Sequence, residues 1–140
     1  MTDSATDTPL SRLFVLVIED EPFTRTVVTK LVETLGCARV QAAESAVAGL
    51  AILRQGLVNA SVDVVVCDID MKPVNGLDLL RALRTSDSER ERRLPLIFLT
   101  GRAAPEDVAA ADTLGHTAFL LKPPQPDALR KALLRHAAAA

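Results

Sequence analysis

Residues 64–76 read VVVCDIDMKPVNG: an apolar run, two aspartates one residue apart, and then turn chemistry. The run from Val64 to Cys67 has no polar face, so it reads as a strand covered on both sides rather than one alternating between core and solvent. Pro73, Asn75 and Gly76 break it, and beyond them Leu77, Leu80 and Leu83 recur at helical spacing. A buried strand feeding a helix through a short turn is the unit of a parallel sheet. It leaves Asp68 and Asp70 at the carboxyl end of the strand.

The same unit recurs along the chain. LFVLVI (13–18) is a short branched apolar run stopped by Glu19-Asp20-Glu21-Pro22, and Phe23, Val27, Val28, Leu31, Val32 and Leu35 then give a one-sided helix with Gly36 as its carboxyl cap. ARVQAA (38–43) precedes a helix carrying Val47, Leu50, Ala51 and Leu53, and a loop follows at 56–61. VDVVVC (62–67) is the third strand, LIFLT (96–100) the fourth and AFLL (118–121) the fifth. Pro105-Glu106-Asp107 and Pro126-Asp127 open the last two helices with proline and acid in the first turn. TSDSERERRLP (85–95) reads as a solvated polar linker. Five strand–helix units predict an α/β fold, a doubly wound five-stranded parallel sheet of order 2-1-3-4-5, with ligands at the switch point between strands one and three.

A chain of 140 residues suits one domain, expected over residues 12–137 behind a disordered tail at 1–11, with no output domain. A net charge of −2 and 3% aromatic residues supply neither the electrostatic footprint nor the stacking surface for nucleic acid. The polar, acidic start is not a secretory signal and no apolar run approaches a membrane span, which points to the cytoplasm and away from a membrane. Cys37 and Cys67 lack paired metal-site spacing and read as packing residues, while His116 and His136, without partners at metal spacing, read as exposed.

In a parallel sheet all strand ends of one kind share an edge. The first strand brings Glu19 and Asp20 there, the third Asp68 and Asp70, the fourth Thr100 and the fifth Lys122. Singly these have structural explanations: acid at a helix start, a turn hydroxyl, a solvated lysine. Jointly they do not, because two carboxylates about 5 Å apart at an effective dielectric near ~20 repel by roughly 3 kcal/mol and require a cation. The candidates are Lys122 and a hard divalent ion, and oxygen-only ligands on an open site suit Mg²⁺. A carboxylate beside a metal, a hydroxyl and an ammonium is the equipment for accepting a phosphoryl group.

Over residues 12–137 the chain resembles the receiver domains of two-component response regulators, in particular their single-domain, CheY-like members of flavodoxin-like fold. The resemblance rests on four ordered motifs: Val17-Ile18-Glu19-Asp20-Glu21-Pro22, Cys67-Asp68-Ile69-Asp70-Met71 with Gly76, Leu99-Thr100-Gly101, and Phe119-Leu120-Leu121-Lys122-Pro123. It implies that Asp68 takes a phosphoryl group from a histidine kinase or histidine phosphotransfer protein. It also implies that Asp20 binds Mg²⁺ directly, Glu19 through water, and residue 70 through its backbone carbonyl. Thr100 would bond the phosphoryl group, Lys122 would pair with it, and Phe119 would repack on activation to alter a surface read by a downstream protein; as an aromatic in a strand, Phe119 is equally a core residue. Such a chain is a switch with self-catalysed phosphotransfer and slow hydrolysis, not an enzyme with an external substrate. Positions 70 and 102, here Asp70 and Arg102, tune that hydrolysis in the family and could form an opposite-charge pair across the cleft. Three departures stand out: Lys72 where proline is usual, Gly101 where alanine is commoner, and Phe119 without a tyrosine's hydroxyl.

Asp68-Ile69-Asp70 with Thr100 and Lys122 also resembles the haloacid dehalogenase phosphatases, which hydrolyse external substrates through an aspartyl phosphate. Met71 and Lys72 do not fit that family's motif, and the acidic pair it needs after the lysine is missing, because Asp127 alone follows Lys122.

Overall fold

The computed structural model describes residues 10–55, 61–102 and 104–139. Five strands, β1 (Phe14–Ile18), β2 (Arg39–Ala43), β3 (Val64–Asp68), β4 (Leu96–Thr100) and β5 (Thr117–Leu121), form one parallel sheet of order β2-β1-β3-β4-β5. The expected order and the expected class are therefore those observed. Six helices connect or follow the strands: α1 (Pro22–Thr34), α2 (Ala46–Gln55), α3 (Gly76–Arg84), α4 (Glu89–Arg93), α5 (Pro105–Leu114) and α6 (Pro126–Ala139).

The continuous apolar runs have their explanation in two cores, one on each face of the sheet. Phe14, Leu16 and Ile18 of β1, Val65 and Cys67 of β3, and Leu96 and Phe98 of β4 face α2, α3 and α5. Val15, Val17, Val64, Val66, Ile97 and Leu99 face the other way, against Val28 and Val32 of α1 and Leu129 and Leu133 of α6. Every residue of β1, β3 and β4 is buried, so alternation is absent from their sequences because both faces are interior.

Local sequence sets the helix ends. Glu21 caps α1 by accepting from the Thr24 N–H at 2.7 Å and the Phe23 N–H at 3.2 Å, and Gly36, at φ 96°, turns the chain out of it as expected. Asn75 and Asp78 exchange side-chain-to-backbone bonds of 2.8 and 3.1 Å at the start of α3, a capping box.

Several expectations differ from the observed chain. Residues 89–93, expected as linker, form α4, because Ser88 accepts from the Glu91 N–H at 3.2 Å and Arg54 grips the Glu91 carboxylate at 3.0 and 3.1 Å. Phe23 and Val27, placed by periodicity on the apolar face of α1, point to solvent at 75% and 41% exposure; the helix seats itself on the buried Val28 and Val32, with Leu31 and Leu35 partly buried beside them. His136 is half-buried rather than exposed. Leu10 packs into the second core, while the rest of the expected tail apart from Ser11, and most of the 56–61 loop, lie outside the described residues.

Arg84 closes the first face at the end remote from the carboxyl edge. Its guanidinium donates to the carbonyls of Leu114 and Gly115 at the end of α5, and to those of Glu91 and Leu94 around α4, at 2.8 to 3.3 Å. Burial lowers its pKa to about 10, still far above neutrality, so it remains a cation facing helix-end carbonyls. Arg84→Ala strands these acceptors and should cost at least about 2 kcal/mol in urea unfolding, with Arg84→Lys recovering only part because an ammonium lacks the planar fork.

Candidate functional site

The carboxyl edge gathers the predicted residues. Glu19 follows β1 and is buried; its N–H bonds the Ala43 carbonyl at 3.0 Å and its carboxylate accepts from the Glu21 N–H at 3.1 Å. Asp68, the last residue of β3, is also buried and accepts from the Asp70 N–H at 3.1 Å. Lys122, just past β5, lies between them: its Nζ is 3.2 Å from Asp68 Oδ2 and 3.4 Å from Glu19 Oε1. The Lys122 backbone N–H bonds the Thr100 carbonyl at 2.8 Å, which ties the β5 exit to the end of β4.

Gly76 fixes the turn after Asp68. Its N–H bonds the Ile69 carbonyl at 3.0 Å, and a Cβ here would stand 2.8 Å from the Phe98 ring and 3.0 Å from the Asp68 carbonyl oxygen. Only glycine lets α3 begin so close under the strand end. The Lys72–Pro73 and Lys122–Pro123 peptides are cis.

Glu19, Asp20 and Asp68 each offer a carboxylate oxygen within 4.8 Å of the others. Burial, and then the neighbouring charge of Asp68, push the Glu19 carboxyl up to about 7 against the pull of the Glu21 N–H and Lys122. Burial by itself would lower the Lys122 ammonium, but Asp68 and Glu19 outweigh it and hold the group above its ordinary value. Two buried acids thus share one ammonium while Asp20 adds a third charge from the exposed rim. An all-oxygen set of clustered carboxylates with this unmet negative charge fits a hard divalent cation such as Mg²⁺.

Thr100 is buried, and its hydroxyl is engaged in its own turn, donating to the Arg102 carbonyl at 2.9 Å and accepting from the Arg102 N–H at 3.1 Å. Asp70 supplies its N–H to Asp68, and its carboxylate lies outside the three-acid group. Asp70, Lys72 and Arg102 are exposed, and among the described residues none of them takes part in an ion pair. The opposite-charge pair expected across the cleft is not formed. Phe119 is half-buried against the first core, its ring 5.2 Å from that of Phe98 and tilted by 38°. Phe98 was not among the predicted site residues. Its place in the apolar run of β4 gave no sign that one ring would touch both the Gly76 turn and Phe119.

The sequence profile described as "Response regulator receiver domain" matches residues 15–134. Over 115 residues the chain is 33% identical to the CAI-1 autoinducer sensor kinase/phosphatase CqsS of Vibrio cholerae, covering 82% of this chain but 16% of that protein. It is 29% identical over 109 residues to the chemotaxis protein CheY-3 of the same organism, covering 78% of this chain and 79% of the relative. The solved structure of Vibrio cholerae CheY4 superposes with a TM-score of 0.77 at 27% identity, covering 89% of this chain and 98% of the other.

Mutual repulsion in the acidic group has a consequence for stability without metal. Asp20→Asn keeps the shape and removes one charge, so it should raise the thermal midpoint in EDTA by about 2–6 °C, whereas Lys122→Ala should lower it by leaving two buried carboxylates unpaired. Scanning calorimetry in chelator checks both, and a fall for Asp20→Asn would contradict the electrostatic account.

Proposed function

This chain belongs to the response regulator receiver domains, and from that premise we propose that it is a phosphoacceptor switch in which Asp68 takes a phosphoryl group from a histidine kinase or histidine phosphotransfer protein. The observation that carries the reading is the position of Lys122, which pairs with Asp68 at 3.2 Å beside a cluster of three carboxylates. The acidic pair, Glu19 and Asp20, lies just past the end of β1, upstream of Asp68, and this supports the receiver reading over a haloacid dehalogenase-like phosphatase.

Asp20 and Asp68 would hold Mg²⁺ directly, with Glu19 behind a water and the residue 70 carbonyl completing the protein ligands. When bound, the ion supplies positive charge for the oxygens of the incoming group. A carboxylate oxygen of Asp68 attacks phosphorus, and the bond to the donor's imidazole nitrogen or acyl oxygen breaks with its electron pair staying on the donor. Lys122 lies within reach of the new phosphoryl oxygens once its hold on Asp68 loosens. Thr100 turns its hydroxyl from Arg102 towards the phosphoryl group, and the turn after β4 follows. Hydrolysis of the acyl phosphate resets the switch slowly, and no external substrate is turned over.

The rim suits a protein donor. The large apolar side chains most exposed among the described residues, Phe23, Val27, Val47 and Leu121, come from the first two turns of α1, the first turn of α2 and the end of β5, which border the carboxyl edge. No helix among the described residues is long and apolar enough to cross a membrane, and a cytoplasmic donor fits such a domain. The output would leave through the first core: Phe119 packs on Phe98, which touches the Gly76 turn beneath Asp68, so a shift at Thr100 has a route to the surface of α5, β5 and α6.

With Mg²⁺ and acetyl phosphate, one residue should be labelled, and Asp68→Asn should abolish the labelling; label surviving that change at the original rate would remove Asp68 as the acceptor. Phe119→Ala should leave labelling intact but confine the NMR shifts caused by beryllofluoride to the surroundings of Asp68. In the unaltered chain those shifts should extend through residues 105–125. Coupling of about 1–3 kcal/mol between site and surface corresponds to roughly 5–150-fold in partner affinity.

A further inference from the structure

The three acids of the cluster are not held alike. Glu19 has the Glu21 N–H and Lys122 on its carboxylate, and Asp68 has the Asp70 N–H and Lys122. Asp20 is exposed, and among the described residues its carboxylate has no hydrogen bond or ion pair. Its place within 4.8 Å of the other two therefore depends on the backbone that carries it. The peptide joining Glu19 to Asp20 presents its carbonyl to Arg25, whose Nη1 donates to it at 3.0 Å. Arg25 stands in the second turn of α1, its N–H bonded to the Glu21 carbonyl at 2.9 Å, on a helix anchored through the fully buried Val28 and Val32. A guanidinium on a packed helix thus grips the peptide plane on the amino side of Asp20, the plane on its carboxyl side being held by the Glu21 N–H on the Glu19 carboxylate.

We infer that Arg25 is a positioning residue for the cation site: it fixes the Glu19–Asp20 peptide so that the Asp20 carboxylate faces Asp68. The inference rests on the divalent-cation reading given above. Arg25 also brings positive charge to the rim of an acidic group, and the two effects have opposite signs. As a charge alone, Arg25 would weaken Mg²⁺ binding and its removal would tighten it. As a clamp, its removal lets the Asp20 backbone wander and weakens binding. Loss of a group that orients a metal ligand typically costs about 10–100-fold in affinity, more than a screened surface charge contributes.

The test is Mg²⁺ affinity of the full chain, read from calorimetry and from the rise in thermal midpoint across a MgCl₂ titration, with no phosphodonor present. Arg25→Met should weaken apparent Mg²⁺ affinity about tenfold while the midpoint in EDTA stays near that of the unaltered chain. Arg25→Lys, which keeps the charge and one donor, should fall between them, and Arg25→Gln serves if the Met variant is too unstable to titrate. Unchanged or tighter binding in Arg25→Met or Arg25→Gln overturns the positioning role while leaving the cation site standing. If the unaltered chain shows no Mg²⁺ response at all, the cation reading falls and this inference with it.

Discussion

Two buried carboxylates, Glu19 and Asp68, share one ammonium, Lys122, and a third carboxylate, Asp20, stands within 4.8 Å of both. Burying like charges together is expensive, and a single cation on three acids leaves the account open. Burial and the Asp68 charge together push the Glu19 carboxyl up to about 7. The surroundings are arranged to hold this strained composition in place: backbone N–H groups of Glu21 and Asp70 face the acids, and the Lys122 backbone is tied to β4.

Within the first core, contacts run from the site towards the surface. Gly76 allows α3 to start against Asp68 and the Phe98 ring, and Phe98 in turn packs against Phe119. The near end of α5 follows the turn in which Thr100 and Arg102 exchange hydrogen bonds. The far end of the same helix is held by Arg84 through the carbonyls of Leu114 and Gly115. The half-buried ring of Phe119 lies on the next strand, at the margin of the core where a change in packing meets the surface.

Two of the three departures from the family pattern, Lys72 and Gly101, are exposed just past the ends of β3 and β4, while the third, Phe119, is half-buried against the first core. Lys72 is exposed beside a cis bond to Pro73, and Asp70 and Arg102 are likewise exposed and outside the ion pairs of the site. The mouth of the cleft therefore carries charges of both signs that are free to meet a partner's surface, while the floor is fixed by buried bonds. The chain spans most of the length of CheY-3 but a small part of the sensor kinase CqsS.

The strands, their order and the gathering of Glu19, Asp20, Asp68, Thr100 and Lys122 at one edge were legible in the sequence, because both causes are local. An apolar run with no polar face has to be covered on two sides, and a parallel sheet puts every strand's last residue on the same edge. What the tertiary structure alone decided is which remote group meets which. Of the apolar positions that periodicity put on the inner face of α1, Val28, Leu31, Val32 and Leu35 reach the core while Phe23 and Val27 are left in solvent. A charged run became α4 because Arg54, on another helix, grips Glu91. Arg25, Arg84 and Phe98 look ordinary in sequence, and their importance comes from a carbonyl, a helix end and a ring that only the folded chain brings within reach.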